Sequence, residues 1–124
     1  MTEEKFVRVN ELVPNIRNIN LLAKIIELGD TRFVTNRKTG EEHQVRDVLI
    51  GDESGIVFLS AWNEIIDQLK EGSIYEFSNV KTILFRRKIR VSFGKKGSIE
   101  ESDKLIDNVN MENNISEKEY GFSP

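Results

Sequence analysis

The sequence predicts an all-β fold in which five strands form one small barrel, a short helix separates the third strand from the fourth, and a flexible acidic tail follows. Short β-rich runs with period-2 alternation recur between residues 19 and 94, and turn-forming residues separate them. The chain has 124 residues, 38% of them apolar. This length suits a single core, because domains commonly span about 100 to 150 residues.

The first strand is predicted over 19–28, after a short helical turn at 9–13 and the breaker Pro14-Asn15. The period-2 alternation places one set of apolar residues on a common face, which we predict to line the core: Ile19, Leu21, Ala23 and Ile25. Residues 29–42 are rich in turn formers and charge, which indicates a mobile finger with its tip at Lys38-Thr39-Gly40.

Strands 2 and 3 are predicted as a hairpin, with the β-rich runs 44–51 and 56–62 joined by a turn at 52–55. In the second run one face carries small aliphatic residues and is the predicted core face: Val57, Leu59 and Ala61. Phe58 and Trp62 then lie together on the opposite, outer face.

A helix is predicted over 64–69, capped by Asn63, because Ile65, Ile66 and Leu69 have helical spacing. Strands 4 and 5 follow over 73–83 and 87–94, and Ile89, Val91 and Phe93 form the predicted core face of the last strand. Five strands with a helix after the third is the order of the OB fold, which binds oligonucleotides on the face of strands 2 and 3 and on the adjoining loops.

The net charge of −3 is unevenly distributed along the chain. Residues 97–124 hold seven acidic and two basic residues, a net charge of −5, which leaves +2 for residues 1–96. Between positions 86 and 96 there are six basic residues and no acid, and such a local field attracts polyanions. We therefore predict a nucleic-acid-binding domain over 1–97 and an acidic, disordered tail over 98–124.

Four stretches are similar to those of a known family: LVPNIRNINLLAKIIELGDTR, VRDVLIGDESGIVFLSAW, LKEG and LFRRKIRVSFG. They resemble the archaeal single-stranded DNA-binding proteins with one OB fold and the OB domains of archaeal replication protein A. The resemblance covers residues 7–97. It implies a protein that binds single-stranded DNA without strong sequence preference and serves replication, recombination and repair.

The resemblance also implies roles for individual residues. Trp62 and Phe85 correspond to aromatic residues that stack on bases, while Lys81 takes the place of a third such aromatic, for which Phe58 or Phe33 can substitute. Basic residues of the loop between strands 1 and 2 contact the DNA, which indicates Arg32 and, by looser alignment, Arg37 and Lys38. The charge pattern adds a predicted phosphate-contacting group from the last hairpin: Arg86, Arg87, Lys88 and Arg90.

Several functional classes are disfavoured by composition. The chain has no cysteine and one histidine, His43, so it offers neither a disulfide nor a thiolate or paired-histidine metal site. Asp47, Asp52 and Glu53 form a group of acids within the predicted domain, but the hairpin turn accounts for Asp52 and Glu53, and a nuclease would need several clustered carboxylates to hold a divalent metal. We predict no catalytic residue, metal or cofactor.

The sequence gives no sign of a leader or membrane segment, so we expect a cytoplasmic, nucleoid-associated monomer. Two other functions stay open: a protein-interaction subunit of a replication protein A type assembly, and an RNA-binding OB domain. The tail either solubilises the protein or recruits replication and repair proteins through its aromatic tip. Truncation at Lys96 is expected to preserve DNA affinity.

Overall fold

Five β-strands make up most of the fold. The structure is a computed structural model that describes residues 6–118, except for the side chains of residues 94 and 95. The strands are β1 (Ile19–Thr35), β2 (Glu42–Asp52), β3 (Gly55–Trp62), β4 (Ile74–Phe85) and β5 (Lys88–Ser102). Three short 3-10 helices accompany them: η1 (Val9–Glu11), η2 (Asn63–Gln68) and η3 (Ile115–Glu117). The strands form a closed barrel in the order β1-β2-β3-β5-β4, which confirms the predicted OB fold.

The barrel is filled by the residues that the alternation assigned to the core. All four predicted β1 residues are buried, as are Val57, Leu59 and Ala61 of β3. On β5, Ile89 and Val91 are buried, and Phe93 is partly buried with its ring centroid 6.2 Å from that of Phe77. The other side of β3 is therefore turned outward, which fixes the location of Phe58 and Trp62.

The predicted finger at 29–42 is mainly strand, and its turn is confined to residues 36–41. β1 continues to Thr35 through two register shifts, after Ile25 and after Leu28, and it stays paired with β2 as far as Thr35 and Glu42. The charged residues of this stretch are tolerated in strands because both faces of the extension are open to solvent. The extension is thus a β-hairpin with a short tip.

The predicted helix after β3 is present as a 3-10 helix, but Asn63 does not cap it. Trp62 is the N-cap residue, and Asn63 has a φ of 51°. Its side-chain Oδ1 accepts a hydrogen bond from the Gln44 N–H at 2.9 Å, so the amide is bound to β2 and unavailable to the helix. Ile66 and Leu69 are buried and cover one end of the barrel.

The ordered part of the chain extends beyond the predicted boundary at residue 97. β5 runs to Ser102, and residues 98–102 pair with the first residues of β4. The following segment contacts the β2–β3 hairpin: Asn110 N–H donates to the Asp52 carbonyl at 3.1 Å and Asn113 O accepts from Ile56 N–H at 2.9 Å. Composition missed this because apolar residues in the segment are sparse, yet Ile106 is buried. Residues 119–124 lie outside the described part.

Ser116 bridges the two strands that close the barrel. Its Oγ accepts a hydrogen bond from Phe58 N–H at 3.0 Å and donates one to the Ile89 carbonyl at 2.7 Å. β3 and β5 pair directly at only two positions, so the hydroxyl prolongs their contact. Truncation at Lys96 would remove this bridge and six of the fifteen residues of β5, so we expect it to destabilise the fold as well as delete the acidic residues.

We expect Ser116→Ala to lower the free energy of unfolding by about 2 kcal/mol, because it leaves a buried donor and acceptor without a partner. Urea denaturation measures this change, with Ser98→Ala, an exposed position of β5, as the matched control. Equal stability of the two variants would show that the C-terminal segment does not pack on the barrel.

Candidate nucleic-acid interface

Strand register brings the predicted site residues onto one surface, which we call the outer face. Directly opposed residues of neighbouring strands point to the same side of a sheet. Trp62 lies opposite Val45, Phe58 opposite both Leu49 and Arg90, and Phe85 opposite Lys88. Four strands therefore contribute to this surface, and its members include Trp62, Ser60, Phe58, Asp47, Lys88, Arg90, Lys81, Ile83 and Phe85.

Arg90 joins two aromatic rings at the centre of the outer face. Its guanidinium carbon lies 4.9 Å from the ring centroid of Phe85 and 5.7 Å from that of Phe58. Arg86 lies over the same Phe85 ring at 5.2 Å. Cations at these distances are attracted to aromatic rings. The arrangement produces a mixed aromatic and cationic surface on which a flat ring and a phosphate can both find a partner.

Trp62 lies at the end of β3, and its side chain is 37% exposed. The indole ring packs in an edge geometry against His43, with centroids 6.1 Å apart and planes at 71°. His43 is held in turn by Asn63, whose Nδ2 lies 3.0 Å from His43 Nδ1. The left-handed conformation of Asn63 thus positions a histidine that orients the tryptophan, while part of the indole stays accessible to a ligand.

The β1–β2 extension carries the remaining predicted contacts. Arg32 lies opposite Val45, on the side of Trp62, and its guanidinium reaches the Asp47 carboxylate at 3.1 Å. Phe33 is 68% exposed, but by strand alternation it points to the other side of the extension. Arg37 and Lys38 lie in the exposed tip turn, beyond Arg32 along the hairpin. The outer face therefore includes Arg32, while Phe33 is not beside Trp62.

The β4–β5 turn consists of two residues in an uncommon conformation. Arg86 and Arg87 have φ values of 53° and 66°, and the strands pair on either side through Phe85 and Lys88. A two-residue hairpin of this kind favours Asn-Gly, because most side chains are strained at positive φ. Elsewhere in residues 6–118 the non-glycine residues with positive φ are all asparagines. Two arginines in this turn are therefore less favourable for folding than Asn-Gly, and they place two positive charges at the end of the hairpin that carries Phe85.

Asp47 is a central residue of the outer face that sequence reasoning did not assign. Its Oδ1 accepts hydrogen bonds from Arg90 at 2.6 Å and from Arg32 at 3.1 Å. The sequence did contain a signal for this role. Asp47 directly precedes Val48, which faces the core, so strand alternation places the Asp47 side chain on the same side of the sheet as Trp62. Asp52 instead stabilises the hairpin turn, as predicted, by accepting hydrogen bonds from Ser54 and Gly55.

Residues 6–118 contain no group of three or more side chains that could hold a metal ion. No helix in the same range is long and apolar enough to span a membrane.

A family model described as single-stranded DNA binding protein Ssb-like, OB fold, matches residues 12–101. The chain belongs to this family. The match confirms the resemblance to single-stranded DNA-binding OB proteins and covers every residue that we place on the outer face.

Individual relatives agree with the family assignment. The single-stranded DNA binding protein Ssb of Saccharolobus solfataricus is 27% identical over 95 residues, which are 77% of this chain and 63% of that protein. The chain thus spans less than two thirds of that relative. A solution structure of a hypothetical protein from Arabidopsis thaliana superimposes with a TM-score of 0.80 at 27% identity, covering 99% of this chain and 90% of that one.

The second OB-fold domain of replication protein A from Methanococcus maripaludis is also similar in structure. It has a TM-score of 0.66 at 19% identity and covers 83% of this chain and 100% of that domain. At this identity the likeness concerns the fold alone.

Proposed function

We propose that this chain binds single-stranded DNA across the outer face, with bases stacked on Trp62 and on the Phe58–Phe85 pair. The observation that supports this most strongly is the placement of Arg90 between two exposed or half-exposed aromatic rings on the same side as Trp62. Stacking contributes about 1–3 kcal/mol per base and accepts every base, because each has a π-face. The proposed binding is therefore tolerant of sequence.

In this proposal the phosphates follow the positive charges at the rim of the outer face. Arg86, Arg87 and Lys88 lie at one end, and Arg32 lies on β1 at the other, with Arg37 and Lys38 reaching further from the tip of the extension. Lys81 adds a charge on β4. One OB fold of this kind covers roughly 4 to 16 nucleotides.

Titration of the intrinsic fluorescence tests the proposal, because Trp62 is the single tryptophan. Oligo-dT is expected to change the emission and to saturate, while duplex DNA of equal length binds at least about tenfold more weakly, since its bases are not free to stack. Oligo-rU in parallel distinguishes DNA from RNA. Binding that is equal for single and double strands would contradict a stacking mechanism, and no binding of either would contradict the function.

The biological setting that we propose is the protection of exposed strands in replication, recombination and repair, by a cytoplasmic monomer without enzymatic activity. The C-terminal residues 119–124, which carry Glu119 and the aromatic residues Tyr120 and Phe122, are proposed as a contact for partner proteins.

The β4–β5 turn allows charge and fold to be tested together. We expect Arg86→Asn with Arg87→Gly to raise the free energy of unfolding by about 1 kcal/mol, since Asn-Gly suits the positive φ values. The same change should flatten the dependence of log K on log[salt] from a slope of about −3 to about −1.5, because each phosphate contact on a single strand contributes about −0.7.

Thermal unfolding and binding at four or more salt concentrations measure the two effects. The matched control is Arg17→Asn, an exposed arginine before β1, which should change neither. A slope that is the same in the turn variant and the wild type would place the strand elsewhere on the barrel.

A further inference from the structure

The outer face carries two acids among its aromatic and basic residues: Asp47 on β2, which two arginines hold, and Glu27 on β1, which lies opposite Leu49. Asp47 lies in the middle of β2 and opposite Ser60, which separates Phe58 from Trp62 on β3. A base stacked near either ring would therefore have its edge close to this carboxylate. A surface that binds only phosphates would gain nothing from an acid here, since the charge opposes the polyanion.

The two oxygens of this carboxylate have different surroundings. Oδ1 accepts both arginine hydrogen bonds, at 2.6 Å from Arg90 and 3.1 Å from Arg32. Within residues 6–118, Oδ2 has no hydrogen-bond partner, and the side chain keeps 28% of its area exposed. Asp47 also lines an open cleft, with Leu49 and Phe58 as its apolar side and Glu27, Gly29 and Asp30 as its polar side. The arginines thus fix the orientation of an acceptor that lies next to Leu49 and Phe58, in a cleft with room for a base.

We propose that Asp47 reads the edge of a bound base, accepting a hydrogen bond at Oδ2 from an exocyclic amino group. This inference rests on the proposed function and adds a base preference to it. The favoured bases are those that carry an amino group, with cytosine as the simplest case, since its N4 amine is a donor that carboxylates recognise. Thymine and uracil have no exocyclic amine, and their N3–H lies between two carbonyl oxygens that the carboxylate repels.

If Asp47 served only to neutralise Arg90 and Arg32, the arrangement of its two carboxylate oxygens would be less well explained. A carboxylate that only neutralised Arg90 and Arg32 could direct one oxygen towards each guanidinium, so that both oxygens were used. Both arginines instead share Oδ1. The second oxygen is left available opposite Ser60, between the positions of Phe58 and Trp62 on β3.

The test compares oligo-dC and oligo-dT with the full chain and its Asp47→Asn variant, using Trp62 fluorescence. Asparagine can keep its Oδ1 on the arginines, and it then presents an amide donor in place of Oδ2. We expect the affinity for oligo-dC relative to oligo-dT to fall about tenfold in the variant, the value of one hydrogen bond to a charged group. The control is Glu53→Gln in the β2–β3 turn, which removes the same charge from an exposed site and should leave the ratio unchanged.

A second measurement needs no variant, so it is decisive even if Asp47→Asn fails to fold. Oligonucleotides with 2-pyrimidinone, which is cytosine without its amino group, should bind the wild type about tenfold more weakly than oligo-dC. Equal affinities, or a dC to dT ratio that is the same in Asp47→Asn and wild type, would overturn the proposal while leaving single-stranded DNA binding intact. Failure of the wild type to bind any of these strands would reject the proposed function itself, and the base preference with it.

Discussion

Trp62→Ala is expected to weaken single-stranded DNA binding by one to two powers of ten, the largest effect of any single aromatic substitution on the outer face. Stacking contributes about 1–3 kcal/mol per base, and 1.4 kcal/mol corresponds to a factor of ten. The side chain is 37% exposed and belongs to the outward side of β3, so its removal should leave the core intact.

Anisotropy of a labelled oligonucleotide measures this effect, because the variant lacks its intrinsic fluorophore. Trp62→Tyr keeps an aromatic ring and is expected to retain most of the affinity, which separates stacking from a change in local structure. Unchanged binding by a folded Trp62→Ala protein would remove this residue from the site. A variant that does not fold would instead indicate that the indole supports the barrel.

Arg90→Ala is expected to reduce affinity by roughly tenfold to a hundredfold for a different reason. The change removes the guanidinium that lies over both Phe58 and Phe85, and it leaves Asp47 balanced by Arg32 alone. The centre of the outer face would lose one positive charge, and the two rings would lose the cation that they share, while Arg86 would still lie over Phe85. Binding at a fixed salt concentration measures the combined effect.

Two control variants separate the contributions of charge and geometry. Arg90→Lys keeps the charge and can still pair with Asp47, but an ammonium lacks the flat surface of a guanidinium, so we expect an intermediate affinity. Arg17→Ala removes an exposed charge from the segment before β1 and should have little effect. If Arg90→Ala and Arg17→Ala lose affinity equally, only the total charge matters and the outer face is not the binding surface.

The barrel and the position of Trp62 could be predicted from the sequence because both depend on a local, repetitive signal. Alternation in β3 distinguishes small aliphatic residues from Phe58 and Trp62, and a closed barrel has only one interior to which the first set can turn. The order of the elements then identified the fold. The core face and the order of the strands were predicted correctly even though the predicted strand ends differ from the observed ones by several residues.

The features that sequence reasoning missed depend on contacts between distant parts of the chain. Asn63 resembles a helix cap locally, but its amide is bound to β2 nineteen residues away. The segment after residue 102 lacks dense apolar residues, and Ser116 becomes important only because two closing strands lie on either side of its hydroxyl. Asp47 gains its role from Arg32 and Arg90, which lie on two other strands. No short-range pattern contains these pairings.

Backbone and indole N–H chemical shifts during a titration with oligo-dT test the central claim most directly, since they locate the bound strand. The largest changes are expected at the Trp62 indole N–H and at the amides of Phe58, Phe85 and Arg90, with smaller changes along the β4–β5 turn. Residues around η1 and the Asp52–Gly55 turn should stay unperturbed. Changes centred on η1 and that turn, with a silent Trp62 indole, would contradict binding on the outer face.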